Sequence, residues 1–440
     1  MLKKIKSLQQ NQGFIKYFKN ISWLFLERVF RMIVGLFVGV WVARYLGPEQ
    51  FGIFSYAQSF VGLFVVISSL GLNDIVVREL LKDKFKKDEL LGTVFFMRLL
   101  GAFIVLIILA LAINFTSGDS YTNTLIFIIA SSTIFQSFNV IDFYFQSKVL
   151  SKYVVYSNLI ALLISSIIKI TLILNEASLI YFAMVVVFES FVLACGYIYF
   201  YLKNNQSIRD WRFIKSVAKN LLKDSYPLIL SGLVISIYMK MDQIMIFEML
   251  GSGAVGQYSA ALRLSEVWYF IPMIIASSLF PAILNAKKIS EKLYYERIQK
   301  LYDLLVWIAV FISVMMSLSS NLVVELLYGK EYSETGSVLI IYIWASVFVF
   351  LGVASSKWFL SENLQKYSFY RTLCGAIINL ILNYILIPIY SIYGAAVATL
   401  ISQIFASYLF NAFNKKLRYT FLLQTNALFL PLRVLGVKFG

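Results

Sequence analysis

Twelve stretches of about 20 mostly apolar residues leave this chain few folds to choose from. They cover residues 21–43, 51–73, 91–113, 122–145, 154–174, 178–202, 226–248, 257–283, 301–320, 336–358, 367–388 and 393–414. A run of that length fits an α-helix crossing the roughly 30 Å hydrocarbon core of a bilayer. There, every backbone polar group must be satisfied within the segment or by a closed sheet. Barrel strands would read as about ten residues of alternating polarity, and nothing here alternates. The expected fold is all-α and polytopic. Composition agrees: 60% of the 440 residues are hydrophobic and 14% charged, against roughly 25% charged in soluble domains.

The loops set the orientation. Thirty lysines and arginines fall in the termini and in alternate loops, whereas the other six loops hold only Arg44 and Lys330. Basic residues accumulate on the cytoplasmic side, so both termini are expected in the cytoplasm. The same asymmetry accounts for most of the net charge of +16 by topology, and no nucleic-acid partner is implied. The segment "MLKKIKSLQQNQGFIKYFKN" lacks the apolar core of a cleavable signal, so the first apolar run is expected to be a retained span. Histidine is absent, which removes the commonest metal ligand and the commonest neutral-pH base. Cys195 and Cys374 lie inside apolar runs, arguing against a disulfide framework. No catalytic residue, metal or cofactor is expected. The apolar tail "FLLQTNALFLPLRVLGVKFG" reads as interfacial.

An internal repeat divides the chain. "LGPEQFGIFSYA" (Leu46 to Ala57) aligns without a gap on "LGSGAVGQYSAA" (Leu250 to Ala261). Leu46, Gly47, Gly52, Ser55 and Ala57 match Leu250, Gly251, Gly256, Ser259 and Ala261, and Phe54 faces Tyr258. Each stretch joins the first two spans of a six-span set, so the repeats are parallel, with an axis along the membrane normal. Two pseudo-symmetric six-helix lobes are expected, residues 1–212 and 213–440, linked by the basic 203–223 segment. That is the architecture of an alternating-access carrier with a cavity between lobes.

Seven cations remain inside spans: Arg28, Arg31, Arg98, Lys169, Lys240, Arg263 and Lys357. Each costs roughly 2.5–3.5 kcal/mol at the bilayer centre on insertion scales. Arg98, Lys169 and Lys357 lie near span ends and read as snorkelling to the headgroups. Arg28 and Arg31 share a helix face, and Arg31 is too deep to snorkel comfortably. Lys240 and Asp242, two positions apart, cannot face each other. Arg263 and Glu266 lie on one face, where an i,i+3 ion pair is the self-contained alternative. Pro272 is expected to bend the eighth span. Spans one, seven and eight set Arg28, Arg31, Lys240 and Arg263 against Glu27, Asp242, Glu248 and Glu266, and since Glu27 and Glu248 sit near span ends, a cavity lined this way is expected to be net positive and suited to an anion. Arginine's planar fork matches phosphate in particular.

The segments "ARYLGPEQFGIFSYAQSF", "SSLGLNDIVVREL" and "MDQIMIFEMLGSGAVGQYSAALRLSEVWYFIPMIIASSLFPAI" resemble the polysaccharide transporters of the multidrug/oligosaccharidyl-lipid/polysaccharide flippase superfamily. The resemblance implies a MATE-like flippase of the bacterial inner membrane. Its cargo would be an undecaprenyl-pyrophosphate-linked oligosaccharide, an O-antigen or capsule repeat unit. It further implies partners in the lipid bilayer and among other polysaccharide-assembly membrane proteins, and coupling to H⁺ or Na⁺. By helix and depth, Arg28, Arg31 and Arg263 match the pyrophosphate-contacting positions of the similar lipid II flippases. Lys240 joins them as a substrate-binding candidate, and Asp242 and Glu266 are the candidate coupling carboxylates. Two rival readings are a MATE-type cation or drug antiporter, which would need a more acidic cavity, and a membrane polysaccharide polymerase or ligase. The second would need a substantial external loop, and the longest here is about 15 residues. A non-transporting scaffold would leave the buried arginines unexplained.

Overall fold

The structure, a computed structural model, describes residues 12–82 and 85–434, with side chains undescribed at 12–19, 21, 432 and 434. Most of the N-tail lysines, together with Lys84 and Lys438, therefore lie outside the described side chains. Sixteen α-helices follow one another among the described residues: α1 (Gln12–Ser69), α2 (Asn73–Lys82), α3 (Lys87–Ala112), α4 (Ser120–Phe135), α5 (Val140–Ser147), α6 (Lys152–Leu174), α7 (Leu179–Lys203), α8 (Lys215–Leu250), α9 (Ser252–Glu266), α10 (Phe270–Ile289), α11 (Glu291–Tyr328), α12 (Thr335–Tyr342), α13 (Ala345–Ser361), α14 (Gln365–Ser407), α15 (Arg418–Leu428) and α16 (Leu430–Val434).

Ten helical stretches are long and apolar enough to cross a membrane. Two of them, Ser22–Lys82 and Gln365–Asn411, each hold two expected spans, so the twelve spans fall on ten stretches. The spans inside α1 part at Gly47 (φ 68°, ψ 171°) and those inside α14 at Ser391 (φ 54°, ψ −142°). Span eight breaks at the 3₁₀ turn Val267–Tyr269, one turn ahead of Pro272. Proline lacks an N–H and its ring crowds the carbonyl four residues back, so the bend falls upstream of the ring.

Two compact units form. One comprises the chain up to Leu46 with Ala57–Ser236, the other Gly47–Tyr56 with Ile237 onward. The expected cut at 212/213 falls instead in a segment pinned to the first unit. Ile214 N–H donates to the Thr93 hydroxyl at 2.9 Å, and Trp211 packs on Phe95 and Tyr201. A Cβ at Gly92 would strike the backbone of Arg212. Val217, Ala218 and Leu221 of α8 complete the same core, and Arg78 pairs with Asp224 at 2.6 Å. The change from the first unit to the second therefore falls inside α8, after Ser236.

In the second unit the two repeat motifs cross each other. A Cβ at Gly52 would fall on the carbonyl of Ser252, and one at Gly256 on the carbonyl of Pro48. Gly52 and Gly256 are equivalent in the repeat, as are Pro48 and Ser252, so the contact is self-complementary in the manner of a two-fold interface. Small residues let helix backbones approach this closely where apolar burial gives no drive. Gly47 and its equivalent Gly251 both take positive φ, 68° and 89°, which glycine tolerates without strain.

The tail packs against the second unit as far as it is described. α15 buries Thr420, Leu423, Gln424 and Ala427. The Gln424 amide donates to Ser355 Oγ at 2.8 Å and to the Ser407 carbonyl at 2.9 Å, and accepts from Asn411. Arg433 pairs with Asp303 of α11 at 2.5 Å.

Candidate functional site

In the first unit, α1 carries Glu27 and Arg31 one turn apart. Glu27 is only 8% exposed, and Arg31 reaches its Oε1 through Nε and Nη2, both at 2.7 Å. That geometry satisfies the i,i+4 rule, and it cancels the deeper of the two arginines. Arg28 is exposed and makes no ion pair among the described residues. Gly35, two turns on along that side, faces open space.

Arg98 does not snorkel. It is 5% exposed, about 16 Å into α3 at 1.5 Å per residue. Its guanidinium lies 5.4 Å over the Phe143 ring, a cation–π contact that strengthens on desolvation. Asp142 and Tyr197 act on its charge, and Asp142 in turn feels Glu27. Buried Arg98 Nη1 and Asp142 Oδ1 each lack a hydrogen-bond partner. Lys169, also expected at the headgroups, pairs with Glu189 at 3.3 Å. The expected excess of cations thus overlooked three acids within other spans, Asp142 and Glu189 here and Asp303 in the second unit. Lys357 lies 5.6 Å from the Phe280 ring centroid.

In the second unit, Asp242 of α8 is 5% exposed and accepts from neutral donors. These are Asn383 Nδ2 at 2.6 Å, Thr399 Oγ1 at 2.5 Å and Tyr258 Oη at 2.9 Å. Asn379 and Asn383, one turn apart on α14, also bond each other at 3.1 Å. The break at Ser391 folds the chain so that Thr399 reaches the same carboxylate. Asn383 Oδ1 is buried without a partner, and Asp242 forms no ion pair among the described residues. A carboxylate ringed by oxygen-bearing neutral groups suits one small monovalent cation. No cluster of three or more His, Cys, Asp or Glu side chains occurs among the described residues.

Lys240, two positions before Asp242 on α8, is partly exposed and forms no ion pair among the described residues. Arg263 lies 5.2 Å over Phe51, and the i,i+3 ion pair with Glu266 does not form. Glu266 instead accepts from Tyr342 Oη at 3.4 Å, while Lys240, Asp242 and Arg263 act on its charge. The structure therefore brings Lys240, Asp242, Arg263 and Glu266 into one electrostatic group in the second unit, and Arg28 and Arg31 belong to the first. Sequence reasoning missed Tyr258, Asn379, Asn383 and Thr399. The available signal was the i,i+4 asparagine pair inside the apolar run "INLILNYILIPI". A further cation, Arg371, one of the thirty counted in termini and loops, lies inside α14. It is buried, donating to Ser356 Oγ at 2.7 Å and the Gly352 carbonyl at 3.0 Å.

Known proteins resemble this chain. Residues 17–287 match the family model described as "Polysaccharide biosynthesis protein", and residues 227–385 match the MatE family. The chain is similar to the capsular polysaccharide biosynthesis protein CapF of Staphylococcus aureus, 22% identical with 91% of this chain and 99% of the relative covered. Among solved structures, lipid II flippase MurJ in an inward closed conformation superposes with a TM-score of 0.75 at 18% identity, covering 96% of this chain and 93% of that one. An inward-facing multidrug resistance MATE family transporter gives 0.68 at 14% identity, covering 92% and 96%. The match over more than half its length makes this multi-pass membrane protein a member of the polysaccharide biosynthesis protein family, with a MATE-like fold.

Proposed function

We propose that the chain is a flippase, not an enzyme. It moves an undecaprenyl-pyrophosphate-linked oligosaccharide across the bacterial cytoplasmic membrane by alternating access through a cationic cavity. Both termini are cytoplasmic on the positive-inside argument. The observation that carries the reading is that Arg28, Lys240 and Arg263 sit within apolar spans without an ion pair among the described residues. Cations at that depth are retained where they meet a partner, and a pyrophosphate supplies one with bidentate geometry. Arg31 contributes more weakly, because Glu27 already holds it. Asp242 takes the coupling cation, H⁺ or Na⁺, and Glu266 belongs to the same coupling device.

The test is translocation of a fluorescent polyprenyl-pyrophosphate glycan in liposomes. Arg28→Ala and Arg263→Ala are expected to slow transport by roughly ten- to a hundredfold, the range for losing a charge-assisted hydrogen bond of about 1.5–3 kcal/mol. Arg31→Ala should cost less. Normal transport by all three variants overturns the assignment. Drug export raised by Arg31→Glu with unchanged glycan would favour the antiporter, and chain lengthening by the purified protein would favour the polymerase.

A further inference from the structure

Glu266 is the last residue of α9 and opens onto the 3₁₀ turn Val267–Tyr269, a joint rather than a helix interior. It is only partly covered. Arg263 lies one turn earlier on the same face, and Lys240 acts on the carboxylate from α8. Neither cation forms an ion pair with it, so the attraction is spread over a gap. The contrast with Glu27 and Arg31, locked at 2.7 Å, is plain: a tight pair must be broken before a ligand binds, whereas a spaced one can be displaced.

The far side of Glu266 leads inward. Tyr342 Oη donates to it at 3.4 Å, and the Tyr342 ring meets the Tyr258 ring edge-on at 5.9 Å. Tyr258 Oη in turn donates to Asp242 Oδ2 at 2.9 Å. Both tyrosines are buried, so the two carboxylates are joined through groups that water does not screen. The titratable and charged groups facing Glu266 are Lys240, Asp242, Arg263, Tyr258, Tyr269 and Tyr342.

We propose that Glu266 is an internal stand-in for the cargo's phosphates: it balances Lys240 and Arg263 while the site is empty, an anionic headgroup displaces it, and Tyr342 with Tyr258 ties that displacement to the cation on Asp242. The proposal rests on the flippase reading given above. Glu266 thereby acts as a positioning residue, and two sites sharing one such element must influence each other's affinity reciprocally.

The full-length protein in nanodiscs is titrated with polyprenyl pyrophosphate, at high and low Na⁺ and at two pH values, to separate the two cation sources. Glu266→Gln, nearly isosteric, is expected to tighten lipid binding roughly tenfold and to abolish its dependence on the cation. Glu266→Asp should restore the wild-type pattern. Tyr342→Phe should leave affinity without the cation within about twofold and flatten the cation dependence, which in coupled sites spans roughly 5- to 150-fold. Unchanged or weaker binding by Glu266→Gln, or full cation dependence in Tyr342→Phe, overturns the proposal. If the wild type binds but Lys240→Ala and Arg263→Ala lose nothing, the flippase assignment of these cations fails as well, which separates the two failures.

Discussion

The charged groups of the first unit and those of the second solve the same problem differently. In the first, Arg31 and Glu27 close on each other at 2.7 Å, Lys169 finds Glu189 at 3.3 Å, and Arg98 lies on an aromatic ring beside Asp142. Charge is largely settled locally. In the second, Asp242 is held by neutral donors alone, and Lys240 and Arg263 stand apart from Glu266. A charge already held by a neighbour offers little to an arriving ion, so the first arrangement favours a fixed structure. The second leaves room for an ion to enter and depart.

The sharpest way to break that contrast is the same change in both units. Asp242→Asn should cut cation-driven glycan flipping by roughly 100-fold, the order of a full coupling term, in a liposome assay with an imposed gradient. Asp142→Asn should leave the cation dependence intact while lowering the melting temperature. Equal loss of cation dependence in both variants would erase the distinction. Next in size is Gly52→Ala or Gly256→Ala, whose Cβ must displace a facing carbonyl. Overpacking of this kind costs about 1–3 kcal/mol, read as a lower melting temperature of the detergent-solubilised protein. Glu27→Gln releases Arg31, which is 39% exposed, so the stability cost should stay within about 1 kcal/mol. Pyrophosphate binding by titration should tighten by a small factor. No change in affinity would place Arg31 outside the anion's reach.

The smallest effect belongs to Asp119, a carboxylate held by a backbone donor in water rather than in the core. It caps α4 by accepting from Thr122 N–H at 2.8 Å, and this bonding to Thr122 holds its pKa below the usual 3.8. A depressed folded pKa means the contribution is complete above the unfolded value and is lost as pH falls through the folded one. Asp119→Ala should therefore cost about 0.5–1 kcal/mol at neutral pH, and the cost should shrink as pH falls below the unfolded carboxylate's range, checked by melting curves across that window.

Much of the fold was legible because membrane spans announce themselves by length and the repeat by matched glycines. The span count and the outer joints at Gly47 and Gly251 came from residue type alone. What was hidden depends on tertiary neighbours. Arg98 has the same distance from its span end whether it snorkels or turns inward, and only Phe143 and Asp142 decide. Arg371 looked like a loop cation until α13 supplied its acceptors. Thr399 reaches Asp242 only because the backbone breaks at Ser391, a residue with no sequence signature for positive φ. The candidate cations were visible as costly residues, and Glu27 stands one turn before Arg31 in the sequence itself, but Glu189 as partner of Lys169 needed a register between two helices that periodicity does not give.

The reciprocal crossing of Gly52 over Ser252 and Gly256 over Pro48 bears on how such a chain could arise. Two copies of one six-span half, meeting across their own axis, would make the same pair of contacts with one glycine and one carbonyl each. Gene duplication and fusion would then have inherited a ready-made junction at this point, and later drift at either glycine would have been held back by the copy it faces.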